Sequence, residues 1–240
     1  MISLRSGTPS SGKSYTAIID IWRALYEKKF VIANFDVIFS PRDLKRGYDK
    51  RFFYLENQEL TVNNLLVFAI EHDLVKNMRE SQCLVVIDEA GGRFNAADAK
   101  KDISEWKDFF SQHAKLGFDI LLIAQKDRMI NRDVLGFIEY EIKHRKVNRF
   151  KFFRYLPKSI TLFVAIKFWY VNKQREGSEF FLYSKRISGR YNRYKMFDGF
   201  KLSSALLQKI DNITSSLDDS YNVPISAISK NLGNLGKEEN

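Results

Sequence analysis

Near its N-terminus the chain reads Gly7-Thr8-Pro9-Ser10-Ser11-Gly12-Lys13-Ser14. It fits G-x-x-x-x-G-K-[ST] at every fixed position, the pattern of a phosphate-binding loop. Successive backbone N–H groups must curl around an anionic phosphate, and side chains at Gly7 and Gly12 would obstruct them. Lys13 then supplies a positive charge to the outer phosphates, and Ser14 supplies a hydroxyl to Mg²⁺. A helix opening at this point turns its positive end toward the anion. The context agrees, because Ile2 to Arg5 reads as a short strand before the loop and Ile18, Ile19, Trp22, Leu25 and Tyr26 recur at helical spacing after it.

Phe30 to Asn34 reads as a second strand, followed by a polar loop containing Pro41 and a short strand over Phe52 to Leu55. Thr61 is placed to cap a helix whose apolar face is Val62, Leu65, Leu66, Ala69, Ile70 and Leu74. Leu84 to Ile87 is an unbroken branched run that ends in Asp88-Glu89, as a strand buried on both faces would. A carboxylate at the C-terminal end of such a strand sits at the edge where parallel sheets bind ligands, so Asp88 is placed to hold the Mg²⁺ shell. Glu89 is placed to orient or deprotonate an attacking water. A helix near Ser104 to Lys115 leads to a second apolar run, Ile120 to Ala124, closed by Gln125, whose amide could serve as a phosphate sensor or as a cap. Strands alternating with helices imply a parallel sheet with crossover helices on its faces.

Beyond Phe137 the texture changes. Ile138 to Lys143 alternates with period two, Thr161 to Val171 is β-rich, and Phe180 to Tyr183 is aromatic, which predicts antiparallel hairpins. The apolar run from Ile160 to Val171 is about half the roughly 20 residues of a membrane-spanning helix, and Lys167 interrupts it, so it reads as a buried strand. The domain reading is residues 1–200 as one unit, with a core at 1–137 and a basic β-rich extension at 138–200. A polar tail follows at 201–240, with one amphipathic helix through Leu202, Leu206, Ile210, Ile213 and Leu217.

The 240 residues are 45% hydrophobic and 28% charged, which excludes a disordered or collagen-like chain. One cysteine, Cys83, cannot form an internal disulfide and reads as packing, and the N-terminus lacks the apolar run of a signal peptide. The net charge of +10 is unevenly placed: residues 1–140 hold 20 basic and 20 acidic side chains, and residues 141–200 hold 15 and 4. Lys143, Arg145, Lys146, Arg149, Lys151 and Arg154, interleaved with Phe150, Phe152 and Phe153, fit either a contact with single-stranded nucleic acid or an anionic membrane surface, or a solvated face. Arg128 and Arg132 follow Gln125, and either could reach a neighbouring subunit's nucleotide as an arginine finger, although a solvated role is the better reading for a single arginine in a charged helix. His113 has no Cys or His cluster beside it and reads as structural.

The glycine loop through Tyr15, Asn34 after the second strand, Val86-Ile87-Asp88-Glu89-Ala90, and His113 with Gly117 to Ile120 leading into Ile123-Ala124-Gln125 together resemble the N-terminal ATPase domain of the zonular occludens toxin (Zot) family. That family includes the assembly ATPases of filamentous bacteriophages. The likeness covers about residues 1–145, and Tyr191 to Phe197 resembles the tyrosine-containing end of that domain. It implies a P-loop ATPase of the additional-strand type, related to HerA/FtsK pumps. ATP and Mg²⁺ would be held by Gly7 to Tyr15 and Asp88, and Lys13, Glu89 and Gln125 would serve hydrolysis. The implied role is virion assembly and extrusion at the inner face of the host inner membrane, as a ring oligomer with phage coat or assembly proteins, single-stranded DNA and a membrane partner. A DNA-translocating or packaging ATPase and a nucleotide-gated scaffold are the alternatives. Ser10 departs from the family, which usually has glycine there. Members usually carry a transmembrane helix after this domain, and its absence here implies a truncated chain or docking on a membrane partner.

Overall fold

The computed structural model describes residues 1–76, 79–95, 100–147 and 161–191. Eight strands form one sheet in the order β3-β2-β4-β5-β1-β6-β7-β8. They are β1 (Ile2–Ser6), β2 (Phe30–Ala33), β3 (Phe52–Tyr54), β4 (Cys83–Ile87), β5 (Phe118–Ala124), β6 (Tyr140–Lys146), β7 (Leu162–Trp169) and β8 (Arg175–Leu182). The first six in spatial order run parallel, and β7 and β8 continue the same sheet antiparallel. The period-two segment at 138–143 was expected to form antiparallel hairpins. It does pair antiparallel with β7, but its other edge joins β1 in parallel, with Leu4 opposite Glu141 and Ser6 opposite Lys143.

Alternation along the strands divides the core into two layers. Val31, Ala33, Val86, Leu121 and Ile123 point to one face, where α1 (Lys13–Tyr26) lies over them. Leu4, Ile32, Val85, Ile87, Ile120 and Leu122 point to the other, covered by α3 (Val62–Glu71), α5 (Lys100–Gln112) and α6 (Arg132–Leu135). Both faces of β4 and β5 are therefore buried, which is why each reads as an unbroken apolar run.

The helix faces differ in detail from the sequence reading. In α1 the buried set is Tyr15, Thr16, Ala17, Ile18, Ile21, Ala24 and Leu25, whereas Tyr26 is exposed. The buried stripe centres on Ile18, Ile21 and Leu25, with the small Ala17 and Ala24 packed beside them against the sheet. Ile70 of α3 is likewise exposed, although Thr61 caps that helix by accepting from Asn64 N–H at 3.3 Å. The polar loop at Pro41 contains a helix, α2 (Pro41–Lys45): Ser40 and Asp43 form a reciprocal capping box with Pro41 in the first turn. The short helix α4 (Ala90–Arg93) follows β4, and α7 (Lys185–Ser188) follows β8. In the run read as a buried strand, β7 buries only Phe163 and Val164. Among the described residues no helix is long and apolar enough to cross a membrane. The expected helix at 202–217 lies outside them, as does most of the basic cluster, from Arg149 to Arg154.

Candidate nucleotide-binding site

Three strands end at one edge of the sheet, and each delivers a residue of interest there. β1 runs into the loop at Gly7, β4 leads into Asp88, and β5, lying between them, leads into Gln125. The loop is tied to this edge by Gly7 N–H donating to Gln125 O at 3.2 Å.

The loop's backbone explains its composition. Gly7 has φ +148°, and a Cβ there would stand 2.5 Å from the His144 carbonyl oxygen and 2.7 Å from Ser11 Oγ. Gly12, at φ +98°, caps α1 and packs its Cα side against Phe163 and Phe181, which a Cβ would meet at 3.2 and 3.4 Å. Ser10 also adopts a left-handed conformation, φ +58°. A glycine would take this shape without strain, so Ser10 retains the geometry at an energetic cost.

Lys13 Nζ folds over the loop and donates to Gly7 O at 2.7 Å and Thr8 O at 3.1 Å. Burial lowers its pKa, partly offset by Asp88. Ser14 Oγ stands 3.4 Å from Asp88 Oδ2 across 74 residues of sequence. Burial raises the Asp88 carboxyl pKa against the opposing pull of its hydrogen bonds and Lys13. Asn34 clamps the Asp88 backbone, accepting from its N–H at 2.7 Å and donating to its carbonyl at 2.9 Å. Tyr191 donates its hydroxyl to the same Asp88 Oδ2 at 3.2 Å.

These residues fit a magnesium-bound nucleotide. Ser11 Oγ is buried in the loop without a hydrogen-bond partner, the Lys13 ammonium rests on loop carbonyls, and a hydroxyl and a carboxylate converge beside it. Ser14 and Asp88 offer the hard oxygen donors that Mg²⁺ prefers, and Gly7 to Tyr15 could cradle the phosphates. Glu89 is exposed at the rim of this edge and held in a left-handed turn, φ +53°, that starts α4. Gln125 is exposed at the same edge.

Other candidates fall elsewhere. His113 lies at the opposite edge, with Nε2 3.0 Å from the N-terminal ammonium and Nδ1 2.7 Å from Phe110 O. Arg128 lies in the short turn at Asp127–Met129 that follows β5 and Arg132 opens α6, and Cys83 is buried in the core. Of the basic cluster, Lys143 is engaged within the fold, 3.5 Å from the buried Glu141 carboxylate and over the Phe168 ring at 5.2 Å.

Sequence reasoning missed a polar cluster beneath the loop. Arg5 of β1 is buried and contacts Asp20 and Thr16 of α1, and His144 Nε2 lies 2.8 Å from Thr16 Oγ1 and 3.2 Å from Arg5 Nη1. An arginine inside an otherwise apolar strand, Ile2-Ser3-Leu4-Arg5, is the signal that could have pointed to it.

A phosphate loop, an acidic strand end and an intervening parallel strand between them define a P-loop NTPase fold of the additional-strand class. A solved ATPase domain has the same fold, with a TM-score of 0.51, 10% identity, and coverage of 80% of this chain and 84% of that one. The Zot family model, zonular occludens toxin, matches residues 1–183, so the chain belongs to that family. The N-terminal domain of zonular occludens toxin from Neisseria meningitidis is similar at 14% identity and a TM-score of 0.45, covering 80% of this chain and 98% of that one. The genome packaging NTPase B204 from Sulfolobus turreted icosahedral virus 2, solved with ATP-gammaS, is similar at 14% identity and a TM-score of 0.46, covering 76% of this chain and 96% of that one. No curated protein sequence matches the chain.

Proposed function

We propose that the protein is a magnesium-dependent ATPase that works as an assembly motor in filamentous phage morphogenesis. The observation that carries the enzymatic part is the 3.4 Å approach of Ser14 Oγ to Asp88 Oδ2 beside the Lys13 ammonium. It joins the loop and the acidic strand end into one site.

In this reading the loop N–H groups and Lys13 bind the triphosphate, with Lys13 exchanging two carbonyl partners for phosphate oxygens. Mg²⁺, held by Ser14 and Asp88, would neutralise charge on the outer phosphates. Asn34 fixes the backbone that carries Asp88. Glu89 takes a proton from the attacking water, and Gln125 hydrogen-bonds the terminal phosphate. The exposure of Glu89 and Gln125 suits a site completed by a neighbouring subunit, hence a ring oligomer. Domain limits of 1–200 with a tail at 201–240 belong to the same proposal, as does a place at the inner face of the inner membrane.

Family membership supports the assembly role. The test is ATP turnover by the full chain with two additions, filamentous phage coat protein in phospholipid vesicles and single-stranded DNA. Stimulation by coat protein is expected. Stimulation by DNA alone would replace the assembly role with translocation, and nucleotide binding without turnover would leave a gated scaffold.

A further inference from the structure

The chain that leaves β8 does not leave the site. Ser184 N–H donates to Tyr15 Oη at 3.2 Å, and Tyr15 in turn donates to Leu182 O at 3.0 Å, which fastens the start of this segment to the first turn of α1. Helix α7 then packs beside α1, with Ile187 against that side of the core. Arg190 pairs with Asp43 at 3.1 Å and lies over the Trp22 ring at 4.2 Å. Ile38 N–H donates to Arg190 O at 2.8 Å, and Tyr191 bridges Val37 antiparallel. The Tyr191 ring rests on Phe35 at 5.0 Å. These contacts make a strap from Ser184 to Tyr191 that reaches from the β8 side of the loop to the end of β2.

Packing accounts for an aromatic ring at 191 but not for its hydroxyl, since phenylalanine would rest on Phe35 equally well. The hydroxyl meets Asp88 Oδ2 at 3.2 Å, the oxygen that Ser14 also approaches. We propose that Tyr191 is a positioning residue for Asp88: the strap holds its hydroxyl so that the carboxylate keeps the orientation needed to receive a magnesium-bound nucleotide. A rotating carboxylate would have to be ordered on binding, whereas one held at Oδ2 from both sides is already aimed. The proposal rests on the nucleotide-site reading above and adds a residue 103 positions distant in sequence to it.

The test is Tyr191→Phe in the full chain. Mn²⁺ binding is followed by electron paramagnetic resonance with a non-hydrolysable ATP analogue, alongside KM and kcat. Loss of one hydrogen bond to a charged group should weaken Mn²⁺ retention on the order of tenfold. The melting temperature should stay near wild type, and the effect should shrink in an Asp88→Asn background, because Tyr191 acts through that carboxylate. Mn²⁺ binding that is unchanged, or tighter, in Tyr191→Phe would overturn the proposal, tighter binding meaning that the hydroxyl blocks the carboxylate. An equal effect with Asp88→Asn would also overturn it. Failure of the wild-type chain to hold Mn²⁺ with the analogue would instead remove the nucleotide-site reading itself.

Discussion

Acidification should destabilise this protein through one buried imidazole. Nδ1 of His144 lies 3.0 Å from the Ile142 carbonyl, which can only accept, so Nδ1 carries the proton and Nε2 is the acceptor facing Arg5 and Thr16. Burial, followed by the Arg5 guanidinium, holds the imidazole pKa down at about 3. In the unfolded chain it returns to about 6.5, so between those values the unfolded state binds the extra proton. The neutral imidazole's contribution is therefore complete above about pH 6.5 and is lost progressively as pH falls toward about 3. At pH 5 the loss is about 1.4 kcal/mol per unit over about 1.5 units, or roughly 2 kcal/mol. For a chain of this length that is a fall of about 4–8 °C in Tm. The assay is thermal unfolding from pH 7.5 to 5, comparing wild type with His144→Gln, which offers Thr16 and Arg5 an acceptor that does not titrate. Contributions common to both proteins, such as those of Asp88 and His113, cancel in the difference. Equal pH dependence in the two would refute the argument.

Ser10→Gly should relieve the left-handed residue at φ +58° and stabilise the fold by about 0.5–1 kcal/mol, read as a higher Tm. Gly7→Ala should cost about 2–4 kcal/mol, because the new Cβ meets a backbone carbonyl at 2.5 Å that cannot swing aside; a wild-type melting curve would contradict this. Glu89→Gln should bind ATP with Mg²⁺ and lose turnover by about 10²-fold or more, whereas Asp88→Asn should raise the Mg²⁺ concentration needed for binding. Isothermal titration beside steady-state hydrolysis separates the two.

Much of the architecture is legible in the sequence because its signals are local. The eight-residue loop states its own geometry, and β4 and β5 read as buried strands because both faces are covered by helices. Gly7, Asp88 and Gln125 meet at one edge of the sheet because each directly follows a strand that the sequence marks by its apolar run. What could not be read depends on pairing across long separations. β6 shows period-two alternation whichever way it runs, and only its place beside β1 makes it parallel. Arg5 and His144, 139 residues apart, meet only when β6 packs there, and Tyr191 reaches Asp88 only by way of the strap. The helix at Pro41 was readable in principle, but Asp43 stands where a capping box more often has Glu or Gln.

Whether Lys13, Ser14 and Asp88 form a working ATP site is decided by magnesium-dependent release of phosphate from ATP by the purified full chain, with Lys13→Ala as the comparison. Wild type should hydrolyse ATP only with Mg²⁺, and Lys13→Ala should lose hydrolysis and bind nucleotide weakly, since the phosphates lose the loop's cation. Wild-type turnover in Lys13→Ala would contradict the account.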